Sequence, residues 1–182
     1  MIGTRLRTAP TPGELAAMYP TPHDHRHYGA GHDLRVRVSI AVGQWLAGVG
    51  ARVADLSCGD GTIAQACTAN PILGDLAPGW PICGPVEATI DDIAPVDVYV
   101  CTETLEHLAD PADLLAVVRA KAHRLLVSFP HCDEPDINTE HIWQWTPAEA
   151  RTLLAAAGWE AETWATLAVP DGPYTYSIVG CR

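Results

Sequence analysis

Apolar positions along this chain come in short runs, and the runs change character in a regular order. RVADLS (52–57), VDVYVC (96–101) and RLLVSF (124–129) have the compact apolar pattern of buried strands. Stretches with helical punctuation lie between them. TIAQACTA (62–69) stops at Asn70-Pro71, and Asp110-Pro111 caps and begins a helix through about residue 122. Thr146, Pro147 and Glu149 have capping-box spacing ahead of a helix that ends at Gly158. ILGDL (72–76) and ICGPVEA (82–88) read as two more strands with only a Pro/Gly loop between them. WEAETWATLAV (159–169) and YTYSIVG (174–180) close the chain as an antiparallel pair.

Upstream, TPGELAAMY (11–19) repeats the capping-box spacing through Thr11, Pro12 and Glu14, which predicts a short helix. LRVRVSIAVGQWLAG (34–48) reads as a helix ended by Gly48 or Gly50. YPTPHDHRHYGAGHD (19–33), between the two, has too many Pro, Gly and His residues to be regular. Strand–helix alternation with a terminal hairpin predicts an α/β fold. Its sheet is seven-stranded and mostly parallel, covered on both faces, with a C-terminal antiparallel hairpin. The expected organisation is an N-terminal helix and lid segment over 1–33, followed by one domain over 34–182. Ligands of such sheets bind at the carboxyl ends of the strands.

Composition narrows the function. Hydrophobic residues make up 48% of the 182 and charged ones 18%, a globular balance. No apolar run approaches the ~20 residues of a membrane span, and MIGTRLRTAPTPGE lacks the apolar centre of a signal peptide. A cytoplasmic location is therefore expected. The six cysteines form no C-x-x-C pair, which argues against structural zinc and for reduced thiols. The net charge of -11, with Lys121 the single lysine, disfavours a nucleic-acid partner. A small molecule or a protein is the better expected partner, the small molecule favoured, with a homodimer left open.

Candidate chemistry concentrates in VADLSCGDGTIAQA (53–66). Gly59 and Gly61 allow a sharp turn and a close ligand approach, and the following helix offers unpaired amides. Asp55 ends the strand, where a carboxylate can hold an ammonium or organise the loop's amides. Asp75 follows twenty residues on, a spacing that suits a carboxylate accepting ribose hydroxyls. A plain βα turn explains the glycines alone equally well, and Gly-Asp-Gly-Thr-Ile-Ala also fits a dinucleotide fingerprint.

The flanking residues carry a resemblance. VADLSCGDGTIA resembles the first motif of class I S-adenosylmethionine-dependent methyltransferases of the small-molecule type. VDVYVCTETLEHLADPADLL is similar to that family's fourth strand and following helix, RLLVSFPH to its fifth strand, and HIWQWTPAEARTLLAAAGWE to the next helix and strand. The resemblance spans residues 34–182 and implies a Rossmann-like three-layer sandwich with S-adenosyl-L-methionine as cofactor. It further implies that Asp55, Ser57, Cys58 and Gly59 hold the methionine end, while Asp75 holds the ribose and Leu76 packs on the adenine. Val86 and Glu87 would lie near the adenine edge, and Cys101, Thr102 and Glu103 under the sulfonium. Departures are Ser57 in place of the commonest first glycine, Pro85 where many members have an acid, and LAPGWP (76–81), too short for the usual helix.

The remaining candidates flank this core. His23, Asp24, His25, His27 and His32 crowd one segment, which reads more naturally as a lid over the cofactor than as a metal cluster. Tyr28 and Arg35 are candidate cofactor contacts, the arginine through the cofactor carboxylate. His131 is the candidate general base, although methyl transfer needs alignment more than proton transfer. Cys132 is a weaker candidate nucleophile, and His107 is read as structural. Asp133, Glu134, Asp136, His141, Trp143 and Trp145 either border a substrate pocket or comprise two core tryptophans under a solvated loop. The sequence thus predicts direct methyl transfer to a small molecule. Its alternatives are an NAD(P)-dependent oxidoreductase and a non-catalytic adenosyl-ligand-binding protein.

Overall fold

The computed structural model describes residues 2–24, 29–131, 136–169 and 173–182. Strand β1 (Thr4–Arg5) precedes helix α1 (Pro12–Met18). Thr11 and Glu14 of α1 make the reciprocal capping bonds expected of their spacing. Helix α2 (Gly29–Ala47) leads to β2 (Val53–Asp55), α3 (Thr62–Cys67), β3 (Ile72–Asp75), β4 (Ile82–Cys83) and α4 (Val86–Thr89). The chain continues through β5 (Val96–Thr102), α5 (Pro111–Lys121), β6 (Ala122–His131), β7 (Trp143–Gln144) and α6 (Pro147–Ala156). It ends in β8 (Ala161–Ala168) and β9 (Thr175–Cys181).

Seven strands form one sheet in the order β4-β3-β2-β5-β6-β9-β8. Strands β4 through β6 are parallel neighbours, while β9 runs antiparallel to both β6 and β8. The alternation of side chains along β5 decides the layers. Tyr99 and Cys101 enter a core that Leu114, Leu115, Leu153 and Leu154 of α5 and α6 complete. Val98 and Val100 point the other way, into a core built with Val36 and Leu46 of α2 and Ile63 of α3. A sheet clothed on both faces is the expected three-layer α/β sandwich with its antiparallel hairpin.

The structure differs from the sequence expectation at several edges. ICGPVEA is a strand only at Ile82–Cys83, because Gly84 turns at φ +147° and Pro85 caps α4. Helix α2 starts at Gly29, so residues 29–33 of the expected irregular segment are helical. Gly31 permits this, since a Cβ there would come 2.2 Å from Val169 at the end of β8. Trp143 and Trp145 are core residues, 4% and 2% exposed with stacked rings, and β1 pairs with β7 beside them. The described cysteines, 58, 67, 83, 101 and 181, are free thiols, and Cys132 lies outside the described residues. Among the described residues, no helix is long and apolar enough to cross a membrane.

Helix α2 reaches the sheet closely because Gly180 of β9 has no side chain. A Cβ at Gly180 would lie 2.8 Å from Thr163 Cγ2 and 3.1 Å from Val42 Cγ1, both on stiff β-branched side chains. Gly180→Val is therefore expected to cost roughly 1–3 kcal/mol through overpacking. The check is the denaturant midpoint, which should fall with an unchanged slope.

Candidate functional site

The carboxyl ends of β2, β3 and β5 converge on the Asp55–Gly61 loop. Asp55 is 2% exposed, and its Oδ1 accepts the Ser57 amide at 3.1 Å. Burial pushes its carboxyl up to about 7, against the lowering effect of the Ser57 bond. The loop then turns through Gly59 (φ +55°) and Gly61 (φ +78°), conformations that favour glycine. Four of the loop's amides are committed within the protein. Cys58 N donates to Gly74 O, Gly59 N to Asp75 Oδ2, Gly61 N to Cys58 O, and Thr62 N to Asp60 Oδ1. A phosphate cradle needs open N–H groups. This loop instead pairs committed amides with two carboxyls, an arrangement that suits a cation.

Asp75 ends β3 half-buried, with Oδ2 on Gly59 N at 2.8 Å and Oδ1 on Ala77 N at 2.9 Å. Burial raises its pKa. Two bonds leave further lone pairs for hydroxyl donors. Trp80, in the short β3–β4 connection, donates Nε1–H to Gly59 O at 2.8 Å, and its ring edge closes over Gly61. The N-terminal segment crosses the same loop: a Cβ at Gly59 would lie 2.8 Å from His23 O, and one at Gly79 would lie 3.4 Å from Pro22.

On the other side, the loop after β5 ties the elements together. Thr104 Oγ1 hydrogen-bonds Ser57 Oγ at 2.8 Å and lies 3.1 Å from Thr102 O. Among the described residues Glu103 alone combines a side chain with positive φ, at 51°. Its amide bonds Ser128 O, and its carboxylate takes the Ser128 hydroxyl at 2.7 Å. Arg35 of α2, 1% exposed, lies 3.8 Å from Glu103 and beneath the Tyr176 ring. Its Nε and Nη1 are buried without a hydrogen bond, a strong local demand for an anion.

The structure therefore gathers Arg35, Asp55, Ser57, Gly59, Asp75, Thr102 and Glu103 along one edge. Cys58 contributes backbone only, since its side chain is 4% exposed. Cys101 is expected under the sulfonium and Val86 near the adenine edge; both side chains are buried. Both point into the core beneath the sheet, Cys101 because strand alternation sends it there and Val86 because it starts α4. Glu87 is exposed and Leu76 partly exposed beside β3. His131 ends β6 opposite Thr175. Tyr28, His25 and His27 lie outside the described residues, while the His23 and His32 rings stand 6.0 Å apart. Sequence reasoning missed Trp80, Thr104 and Glu106. A lone tryptophan in a Pro/Gly loop was the available signal for Trp80. For Glu106 it was an acid between Leu105 and Leu108, next to His107.

No protein-family model and no curated protein matches the sequence. Solved structures match over nearly the whole chain. The Burkholderia thailandensis 1,6-didemethyltoxoflavin-N1-methyltransferase, bound to 1,6-didemethyltoxoflavin and S-adenosylhomocysteine, aligns at TM-score 0.67 and 18% identity, covering 99% of this chain and 94% of that one. The Synechocystis PCC 6803 magnesium protoporphyrin IX methyltransferase with S-adenosylhomocysteine aligns at 0.59 and 17%, covering 83% of each. The [4+2]-cyclase SpnF aligns at 0.69 and 12%, covering 98% of each. At these identities the likeness is one of fold. The chain has the fold of class I S-adenosylmethionine-dependent methyltransferases.

The contact between His23 and Gly59 generates a test. Gly59→Ala places a methyl group against the His23 carbonyl and strains a left-handed residue by ~1–2 kcal/mol. Faster amide exchange across residues 19–24 is expected, read by hydrogen–deuterium mass spectrometry. Equal exchange in both proteins would show that this contact does not hold the segment down.

Proposed function

We propose that the protein is an S-adenosylmethionine-dependent methyltransferase acting on a small-molecule acceptor by direct displacement at the sulfonium methyl. One observation carries the reading: the glycine loop offers carboxyl groups and committed amides, while a buried, under-bonded arginine lies across the same edge. An amino-acid zwitterion matches both, its ammonium toward Asp55 and its carboxylate toward Arg35. A pyrophosphate matches neither Asp55 nor Asp75. The known structures bound to S-adenosylhomocysteine support the same ligand.

In this reading Asp75 receives the ribose hydroxyls and Leu76 flanks the adenine, with Val86 and Glu87 contributing the leading amides of α4 rather than side chains. Thr102 and Glu103 shape the floor beneath the sulfonium. Glu103 also holds Arg35 and Ser128 in place, through the contacts already described. The protein's contribution to rate is alignment of acceptor, methyl and sulfur, with water excluded. His131 is the candidate base for an acceptor that must lose a proton. The N-terminal segment, with Tyr28 in it, is the candidate lid, and the net charge of -11 keeps nucleic acid a poor acceptor. A cytoplasmic location accords with this reading.

Thermal unfolding separates the cofactor classes. S-adenosylhomocysteine at 100 times its Kd should stabilise by about 2.7 kcal/mol, through mass action on the native state. NAD and NADP should leave the melting temperature nearly unchanged. A larger shift with NAD would overturn the assignment.

The Asp55 carboxyl adds a pH dependence with a definite sign. Held up at about 7 by burial, it is largely protonated at pH 5 to 6 in the ligand-free protein. A bound ammonium favours the carboxylate, so binding releases a proton. Affinity for S-adenosylhomocysteine should rise as pH increases toward 7, by at most about tenfold per unit, and level off above it. Without ligand the raised pKa works against the fold in the same window: its stability contribution is complete below the ordinary carboxyl value of 3.8 and is lost as pH rises through 7. Calorimetric titration from pH 5 to 8 checks the slope, which Asp55→Asn should remove near neutrality.

A further inference from the structure

Behind the β5 loop lies a group of side chains that the methyl-transfer reading does not use. Glu106 sits in the 3-10 turn Leu105–His107, four residues past the end of β5. It is 1% exposed, and neither carboxylate oxygen has a hydrogen-bond partner. A buried carboxylate without a partner is strongly unfavourable, so the group must be neutralised by a proton or a cation. Among the described residues, Glu106, His107 and His141 each present one ligand atom, and these atoms lie within 4.8 Å of one another.

The surrounding bonds orient both imidazoles as ligands. Tyr19 donates its hydroxyl to Glu140 Oε2, so the Nδ1 proton of His107 goes to Glu140 O, 3.1 Å away. His107 Nε2 then carries a lone pair facing Glu106 Oε1 at 3.8 Å. That contact is too long for a hydrogen bond and repulsive between two acceptors, but it suits two ligands of one ion held at about 2.0–2.2 Å from each. His141 donates Nδ1–H to Asp136 Oδ2 at 2.5 Å, and Tyr174 fixes the other Asp136 oxygen at 2.7 Å. A carboxylate behind a ligating imidazole is the usual support of a metal-bound histidine. The remaining nitrogen, His141 Nε2, meets the Asn138 amide at 3.1 Å, where a cation would replace a neutral donor. Glu103 and Asp136 add negative potential around Glu106, opposed by Arg35.

We propose that Glu106, His107 and His141 form a binding site for a divalent transition-metal ion, with Asp136 and Glu140 orienting the two imidazoles. One carboxylate and two imidazoles favour zinc, manganese or iron over calcium or magnesium, and three protein ligands leave coordination positions open. The site lies on the loop whose Thr104 meets Ser57, and so borders the methyl-transfer edge. Resting on the methyltransferase reading, the ion's role is to receive an oxygen of the acceptor and lower its pKa, which selects hydroxylated substrates.

Cobalt(II) is the probe, since its visible absorption reports coordination by nitrogen and oxygen. Chelator-treated, folded protein should bind one cobalt(II) per chain, displaced by zinc, with no adenosyl ligand present. Glu106→Gln should weaken binding by roughly a hundredfold or more while far-ultraviolet circular dichroism stays unchanged. Should that variant unfold, His107→Gln, at a position 23% exposed on its side chain, carries the same measurement. Absence of stoichiometric binding to the wild type, or equal affinity in the folded variants, overturns the site. Because no cofactor is present, failure of the S-adenosylhomocysteine test leaves this result standing, and the reverse holds too.

Discussion

A carboxyl kept from water at the end of the first parallel strand constrains most of this structure. Asp55 sits at the junction of β2 with the glycine loop, where burial destabilises its charged form. The Ser57 amide turns back to meet it, and Ser57 in turn receives the Thr104 hydroxyl from the neighbouring loop. From Thr104 the chain runs directly to Glu103, whose left-handed backbone brings its carboxylate to Ser128 and Arg35. One buried acid thus sets the geometry of two loops and fixes where a helix can place its arginine. A network of this kind is rigid only while each member is bonded. The open Arg35 nitrogens and the uncompensated Asp55 are where a zwitterionic ligand would complete it.

Much of this was legible in the chain because the relevant signals are local. Strand runs, Asp-Pro and Thr-Pro helix starts and the terminal hairpin depend on neighbours in sequence, and each produced its element. Both capping boxes formed as spaced. Errors arose where tertiary contact overrides local preference. Gly29–Asp33 is poor helical sequence, yet it extends α2 because Gly31 lets the helix settle on Val169. Cys101 lies within a site-like motif, but the alternation of β5 aims it into the core. Glu106 went unassigned, since a sequence does not show whether a buried acid has a partner.

The short β3–β4 connection explains the N-terminal segment. A full helix after β3 would normally wall the ligand edge beside Asp75. LAPGWP supplies instead one large indole, anchored through Gly59 O and lying along Gly61. That leaves the top of the loop to be covered by another part of the chain, and Pro22–His23 occupies it, touching both Gly59 and Gly79. The cover is held from the far side by Tyr19, whose hydroxyl bonds Glu140 and reaches His107 at 3.2 Å. Tyr19 therefore joins the segment over the glycine loop to the residues behind the β5 loop. Under the proposed lid reading, a displacement of Pro22–His23 would therefore act on the Glu106 cluster through one tyrosine.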